Sequence, residues 1–143
     1  MVRHLLLGAV AVAFAGLTSP LHGEEKKDEH MAHFSECAKV CAECMRSCES
    51  CFHHCAHLVA EGKKDHVKSM NLCADCAELC AASAKLAARG GPLAVTSCEA
   101  CAKACDICGA ECEKHNDEHM KACAKMCREC AKACRDMIKH AGH

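Results

Sequence analysis

Residues 37–55, CAKVCAECMRSCESCFHHC, decide the predicted fold of this chain. Cysteines recur from Cys37 to Cys55 at alternating intervals of four and three residues. Positions with this average spacing, about 3.5 residues, lie on one face of an α-helix. Leu or Ile usually fills such a face where helices pack together. Because thiols fill it here, the helix would carry a column of soft metal ligands on the side that meets its neighbours.

Three further segments repeat the pattern of threes and fours, and no stretch shows the alternation typical of a β-strand. Short connections make successive helices antiparallel neighbours. We therefore predict an all-α protein, an antiparallel up-down-up-down four-helix bundle with a cysteine-lined core. We predict that every cysteine is a metal ligand: Cys37, Cys41, Cys44, Cys48, Cys51, Cys55, Cys73, Cys76, Cys80, Cys98, Cys101, Cys105, Cys108, Cys112, Cys123, Cys127, Cys130 and Cys134.

Local signals bound the first two predicted helices. Helix 1 is expected to begin at Phe34 and to stop at Gly62, because glycine suits the position just after a helix. Asp65 is a candidate N-cap for helix 2. Helix 2 would end near Ala88, in an alanine-rich segment.

The second half of the chain carries its own boundary signals. Residues 89–92, Arg-Gly-Gly-Pro, break the chain before helix 3. Thr96 followed by Glu99 is a capping-box pattern that would open helix 3. Asn116 or Asp117 is expected to cap helix 4.

The composition limits what such a bundle can do. A chain of 143 residues suffices for one small domain, which we place at residues 34–143. It has no Trp or Tyr and only three Phe, so its core is poor in large side chains. The net charge of -1, spread over mixed signs, argues against a nucleic-acid surface. The lack of aromatic side chains for base stacking argues in the same direction.

Residues 1–23 are predicted to be an export signal peptide. Arg3 precedes an apolar run at residues 5–15, and small or chain-breaking residues follow, so cleavage is expected near positions 15–23. Residues 24–33 would then be a polar, mobile lead-in. The apolar run is too short for a membrane span, and a retained amphipathic anchor is the alternative. The expected location is therefore outside the cytoplasm, in the periplasm.

Geometry separates the roles that so many cysteines could have. Cβ atoms four residues apart on a helix are about 5–6 Å apart, whereas a disulfide needs about 3.5–4.5 Å. Disulfides within one helix are therefore disfavoured. Bridges between helices remain possible, but about two to four suffice to staple a small domain. A metal relaxes the distance limit, because two metal–sulfur bonds of about 2.3 Å together span about 4.6 Å.

Charge then favours one metal over the others. A zinc ion held by four thiolates keeps a net negative charge that is costly to bury repeatedly. One Cu(I) per thiolate leaves no net charge, and Cu(I) prefers soft sulfur ligands. Iron–sulfur clusters typically use compact loop motifs. A pair such as Cys41 and Cys44 outside a βαβ unit does not indicate a thioredoxin-like site, and segments rich in Ala, Lys and Glu favour helix over a metallothionein-like coil.

The sequence resembles the copper storage proteins, a family of cysteine-lined four-helix bundles. The resemblance is carried by runs of the form C-x₃-C-x₂-C, at Cys37-Cys41-Cys44, Cys44-Cys48-Cys51 and Cys123-Cys127-Cys130. It implies many Cu(I) ions along the core, bound mainly by cysteine pairs on one helix or between helices, and it implies a homotetramer. Exported members of the family can carry twin-arginine signals, whereas Arg3 is followed here by His4.

The cysteine stripes, extended by their own step, predict what closes the two ends of the bundle. At one end they continue to Leu58 and to the four residues past which we expect copper to enter: Met70, His115, Met120 and His66. Thioethers and imidazoles are suitable Cu(I) ligands, although methionine also serves simply to fill space in cores. The other end is expected to be closed mostly by small or apolar side chains, with one histidine among them: His30, Phe34, Ala84, Ala87, Ala94 and Met137.

These residues predict storage and buffering of Cu(I), with about one ion per cysteine at saturation. The alternatives are a disulfide-stapled or thiol-redox helical protein and a copper chaperone of low stoichiometry. No nucleophile–base pairing and no constellation of carboxylates in the sequence indicates an enzyme. The expected partners are copper ions and further copies of the chain, with no nucleic acid and no membrane span in the mature protein.

Overall fold

The computed structural model describes the backbone of residues 22–141 and the side chains of residues 31–141. Four helices follow one another: α1 (His22–Ala60), α2 (Val67–Ala88), α3 (Ala94–Cys112) and α4 (Glu118–Ala141). A short 3₁₀ turn, Lys64–His66, leads into α2. Residues 22–141 contain no strand. The predicted all-α class and four-helix bundle are confirmed, and α1–α2, α2–α3, α3–α4 and α1–α4 are the helix pairs in contact, as an up-down-up-down ring requires.

Sulfur fills the centre of this bundle. All eighteen cysteines are at most 1% exposed. Small alanines pack beside them, among them Ala77, Ala102 and Ala131, and the large side chains within the buried cluster, those of Phe34, Met120 and Met137, lie at its two ends. Because a protonated thiol behaves as a small hydrophobic group, this core can form without metal.

Both predicted breaks after α1 and α2 follow the same geometry. Gly62 has a φ of 92°, and the next amide, that of Lys63, donates to the Leu58 carbonyl at 3.0 Å. Gly90 has a φ of 56°, and the Gly91 amide donates to the Leu86 carbonyl at 3.0 Å. These are Schellman-type ends, in which glycine accepts the left-handed conformation at little cost. The predicted stop at Gly62 is therefore confirmed.

The helix starts agree less well with the predictions. Asp117 caps α4 as predicted, because its Oδ1 accepts the Met120 amide at 3.0 Å. Asp65 does not cap α2. It lies inside the 3₁₀ turn, so His66 takes the N-cap position with no side-chain cap hydrogen bond.

The Thr96–Glu99 capping box is also wrong, because α3 begins earlier, at Ala94. The Ala94 amide already donates to the Gly91 carbonyl at 2.9 Å, so the turn through Pro92 continues directly into the helix. Proline favours this behaviour, since its fixed φ suits the first helical turn. Thr96 consequently lies within the first turn of α3 rather than before it.

The start of α1 also differs from the expectation of a lead-in at residues 24–33. The helix already begins at His22. Glu, Lys, Met and Ala dominate this segment and have high helix propensities, which explains why the helical backbone continues through it. Of the predicted export signal, residues 1–21 lie outside the described residues. Across the residues that the structure describes, every helix is too short or too polar to cross a membrane.

Helices α3 and α4 approach each other closely at Gly109. A Cβ atom built on this residue would lie 3.2 Å from the Cys127 Cβ and 3.4 Å from the Ala124 carbonyl oxygen. A glycine inside a helix costs about 1 kcal/mol relative to alanine. Here its missing side chain lets the backbone of α3 pack against α4.

Candidate metal centre

The cysteine sulfurs form one connected column rather than separate pairs. Sulfurs four residues apart on one helix are 3.9 Å apart for Cys37 and Cys41, and 4.0 Å apart for Cys44 and Cys48. Sulfurs on different helices come closer still. The shortest distances between helices, both 3.5 Å, join Cys41 with Cys134 and Cys80 with Cys101.

Cysteine sulfurs of the diagonally opposed helices α1 and α3 also lie close to one another. The Cys37 Sγ of α1 lies 3.7 Å from the Cys98 Sγ of α3, and Cys44 lies 3.9 Å from Cys105 in the same way. The thiols therefore reach the bundle axis. All of these distances are below the roughly 4.6 Å that a metal can bridge with two sulfur bonds of about 2.3 Å.

Groups of four sulfurs, one or two from each contributing helix, lie close enough to surround an ion. In each group the four Sγ atoms are within 4.8 Å of one another. The groups share members, so they cannot all be filled as independent four-thiolate sites. Five of them are Cys41/Cys101/Cys130/Cys134, Cys44/Cys48/Cys76/Cys127, Cys44/Cys80/Cys105/Cys130, Cys48/Cys108/Cys123/Cys127 and Cys51/Cys73/Cys112/Cys123. Shared ligands favour an ion that accepts bridging thiolates and low coordination numbers, as Cu(I) does.

Burial and thiol–thiol hydrogen bonds keep much of the column protonated when it is empty. Burial, with the nearby Cys51, raises the pKa of the Cys55 thiol to about 12. Hydrogen bonds with Cys105 and its other neighbours, together with burial, raise the pKa of Cys127. The hydrogen bond from Cys112 instead lowers the pKa of Cys108 to about 6, so a thiolate forms more readily there than at Cys55. Metal binding to thiols such as Cys55 and Cys127 must therefore displace protons.

Met120 lies directly on the sulfur column at one end of the bundle. Its side chain is fully buried, and its Sδ is 3.4 Å from the Cys51 Sγ and 3.5 Å from the Cys55 Sγ. Of the four predicted access residues, Met120 is the one that contacts cysteine sulfur among the described contacts. Met70 is only partly buried and packs beside the core.

Ser69 occupies the position on α2 that the sequence extension assigned to Met70. Its side chain is fully buried, and its hydroxyl shares a 2.9 Å hydrogen bond with the His115 Nε2. The spacing of the cysteines on α2 would have predicted this position for Ser69. Cys73 and Cys76 are three residues apart, so an alternating pattern demands a step of four before Cys73, which leads to Ser69.

The two predicted histidines form a stacked pair at the same end. The rings of His66 and His115 are 4.2 Å apart, and the side chain of His66 is only 10% exposed. Burial, and secondarily the neighbouring His115, lowers the pKa of His66. Its imidazole is thus held in the neutral form that binds metals.

Further polar groups at this end were not predicted. His54 Nε2 lies 3.3 Å from Asp117 Oδ1, and the His54 ring stacks on His119 at 4.6 Å. Glu111, only 8% exposed, pairs with Lys114 at 2.7 Å. Hydrogen bonds from Lys114 and then Lys68 hold the pKa of Glu111 below its usual range. Only the three-dimensional arrangement of the helix ends brings these groups together. From here on we call the end marked by Met120, His66 and His115 the His-rich end.

The opposite end is mostly apolar, as predicted. Phe34 is 5% exposed and Met137 is 1% exposed, and Ala87 and Ala94 are fully buried. Ser83, rather than the predicted Ala84, is the fully buried residue on that turn of α2, and its hydroxyl donates to the Ser97 carbonyl at 3.0 Å. We call this the Phe34 end.

Comparison with known proteins points to one family. The family model described as copper storage protein matches residues 28–139. Among solved structures, the Cu(I)-bound copper storage protein BsCsp3 is 36% identical, with a TM-score of 0.68, over 73% of this chain and 98% of its own. The apo form of Csp3 from Bacillus subtilis is 37% identical, with a TM-score of 0.62, over 71% of this chain and 95% of its own.

A cytosolic copper storage protein from Streptomyces lividans, in a structure described as holding five coppers, is also similar. It is 27% identical, with a TM-score of 0.72, over 78% of this chain and 97% of its own. Among curated protein sequences, none matches this chain.

Proposed function

The chain belongs to the copper storage protein family and stores Cu(I), and from this premise we propose that all eighteen core cysteines are its ligands. Each would bind as a thiolate, and saturation would be reached near one ion per cysteine, about eighteen in all. The observation that supports this proposal best is the continuity of the sulfur column. The sulfurs of all four helices take part in it at spacings that a bridging ion can span.

Charge balance supports full occupancy by Cu(I). Each ion that replaces one thiol proton leaves the core neutral, so many ions can be buried side by side without accumulating charge. Uptake then releases a proton at each thiol that is neutral in the empty core, as the raised pKa of Cys55 indicates for that residue.

Anaerobic titration of the reduced protein with Cu(I) tests this function. We expect binding to saturate near one equivalent per cysteine, read from Cu(I)–thiolate absorbance and from the metal content after desalting. Saturation at one or two equivalents would indicate a chaperone instead. The disulfide-stapled alternative predicts few free thiols in protein isolated anaerobically from its native compartment, whereas a ready Cu(I) store requires mostly reduced cysteine.

We further propose that copper enters at the His-rich end. Met120 contacts two column sulfurs, and the neutral His66 and its stacked partner His115 provide imidazole ligands just outside it. An ion could thus move from imidazole to thioether to thiolate, which are progressively better ligands for Cu(I).

Replacing Met70, His115 and Met120 together by leucine should slow copper uptake and leave the final capacity unchanged. The matched control replaces Met45, Met126 and His57 by leucine, because these have the same side-chain types, contact no column sulfur among the described contacts, and include an exposed histidine, His57. Uptake at the wild-type rate in the first variant would refute this access route.

The export signal and the oligomer are proposals as well. We propose that residues 1–23 direct export to the periplasm and are removed. The relative from Streptomyces lividans is described as cytosolic, so the compartment has to be measured: the mature protein should be recovered from the periplasmic fraction, with an N-terminus between positions 16 and 24. The family resemblance supports a homotetramer, which analytical ultracentrifugation would test against a monomer. The family is one of storage proteins rather than a class of enzymes, and we propose no catalytic role.

A further inference from the structure

A surface groove at the Phe34 end reaches the sulfur column from the side. It lies between α1 and α4 and has a volume of about 360 Å³. The side chains that matter for its chemistry are His33, Glu36, Cys37, Glu129, Met137 and His140. Four of these six carry nitrogen or sulfur ligands of the kinds that Cu(I) prefers.

Two imidazoles meet at the rim of this groove. His33 of α1 and His140 of α4 stack with their ring centres 3.8 Å apart and their planes within 12° of parallel. His140 Nδ1 lies 2.7 Å from the Asp136 carbonyl oxygen. Because a carbonyl can only accept, Nδ1 carries the proton and neutral His140 keeps a free lone pair on Nε2. A backbone hydrogen bond that fixes the tautomer in this way is typical of metal-binding histidines.

The inner wall of the groove is the first sulfur of the column. Cys37 is 1% exposed, and its Sγ lies 3.7 Å from Cys98 and 3.9 Å from both Cys41 and Cys134. The next step, from Cys41 to Cys134, is 3.5 Å. An ion that reaches Cys37 is therefore within bridging distance of the next layer of thiols.

The groove is lined by charges of both signs. Glu36, Glu129 and Asp136 line it together with the ammonium group of Lys132. Lys132 and Lys139 pair with Asp136 at 2.7 and 3.3 Å, and Lys125 pairs with Glu129 at 3.9 Å. Glu36 is therefore the lining carboxylate whose charge no described ion pair offsets, and the groove does not repel an incoming cation.

We propose that this groove is a second copper access site, at which Cu(I) binds first to the imidazoles of His33 and His140 and then passes to Met137 and Cys37. The proposal rests on the proposed storage function and adds a second route to it. Copper stays Cu(I) throughout. As the Cu–S bond to Cys37 forms, a Cu–N bond to imidazole breaks, and the thiol proton passes to the released imidazole or to water. The stacked rings must separate for ligation, because their lone pairs lie in the ring planes.

The test uses a background in which the His-rich end carries the Met70, His115 and Met120 to leucine changes. In this background Ala133→Trp fills the groove, since Ala133 lines it. Ala82→Trp is the matched control, because Ala82 is exposed on α2. Transfer of Cu(I) to each reduced, full-length protein from a coloured Cu(I) chelator is followed anaerobically by the loss of the chelator's absorbance.

We expect Ala133→Trp to slow transfer about tenfold or more relative to Ala82→Trp. The double variant His33→Ala/His140→Ala, which leaves the groove open, should slow transfer as well. Equal rates for the two tryptophan variants, or an undiminished rate in the double histidine variant, would overturn the proposal. Final copper content is measured in every variant and should stay near one ion per cysteine. A low content would instead refute the storage function, so the two failures are distinguishable.

Discussion

The two ends of the bundle are closed by different chemistry although the column between them is uniform. At the His-rich end, Met120 contacts two thiols, and His115 contacts the polar side chains of Ser69 and His66. At the Phe34 end, Phe34 and Met137 fill the axis, and polar ligands lie only at its side. On the proposed routes of entry, the cysteines determine what is stored, whereas the end residues would determine how fast it arrives and how firmly the empty bundle holds together.

Alkaline pH should have the largest effect on the stability of the metal-free protein, because it deprotonates buried thiols along the whole column rather than at one end. The pKa of Cys55 is raised from 9.0 to about 12 in the folded state. The unfolded chain therefore loses this proton at lower pH than the folded chain, so unfolding becomes more favourable as the pH rises from about 9 to about 12. Denaturant unfolding of the metal-free protein across this range measures the loss. The copper-loaded protein has no thiol protons to lose, so its stability should stay flat there. Equal pH profiles for both forms would contradict the prediction.

Phe34→Ala should be the most destabilising single substitution at the Phe34 end. Removing a buried phenylalanine costs about 3 kcal/mol, because apolar contacts are lost and a cavity remains. Denaturant unfolding of the metal-free protein gives this value. Leu93→Ala removes a side chain that is 62% exposed, so it serves as the control and should change the free energy of unfolding by less than about 0.5 kcal/mol. If both variants lose the same stability, the Phe34 end is not closed by packing.

Met120→Leu and Met70→Leu test the separate roles of two methionines, both of which the sequence predicts to take part in copper entry. Leucine nearly conserves the volume, so each change should cost less than about 1.5 kcal/mol of stability. Only Met120 contacts column thiols among the described contacts, so Met120→Leu should slow copper uptake about tenfold, equivalent to about 1.4 kcal/mol in the barrier. Stopped-flow uptake of Cu(I) measures both variants. A slower rate in Met70→Leu than in Met120→Leu would reverse the assignment.

Asp117→Ala should have the smallest of these effects. It removes the hydrogen bond from the Met120 amide to the cap of α4 and should lower stability by about 1 kcal/mol. Asp117→Ser retains an oxygen at the cap and should recover most of the loss, and Asn116→Ala should have little effect. The same hydrogen bond holds the pKa of Asp117 below its usual range. The cap's contribution should therefore be present at neutral pH and disappear as acid protonates the carboxylate. Thermal unfolding of the wild type and Asp117→Ala at neutral and acidic pH measures this contribution. An equal difference at both pH values would contradict the prediction.

The cysteine stripes predicted the bundle because one periodic feature of the sequence repeats over whole helices. Single-residue boundary signals were less reliable. Asp117 caps α4, but a turn through Pro92 leads into α3 before the Thr96–Glu99 pattern, and Asp65 lies inside a 3₁₀ turn. A side-chain cap competes with backbone turns that form equally well, so local sequence alone does not decide the outcome.

The burial of all eighteen cysteines in the core was predictable, but their pairing was not. The sequence favours ligand pairs four residues apart on one helix. The structure adds contacts between helices that are as short or shorter, such as Cys80–Cys101. These depend on helix rotation and separation. For the same reason, nothing in the separate sequence positions of His33 and His140 indicates that their rings stack.

The close approach of α3 and α4 at Gly109 bears on which ions fit. At this level no side chain of α3 separates its backbone from α4, because even a methyl group on Gly109 would lie 3.2 Å from the Cys127 Cβ. Side chains can rotate to suit a larger ion, whereas two helices in direct contact cannot move closer to suit a smaller one. Discrimination among soft monovalent ions would then depend on ionic radius, since the sulfur ligands are the same for all of them.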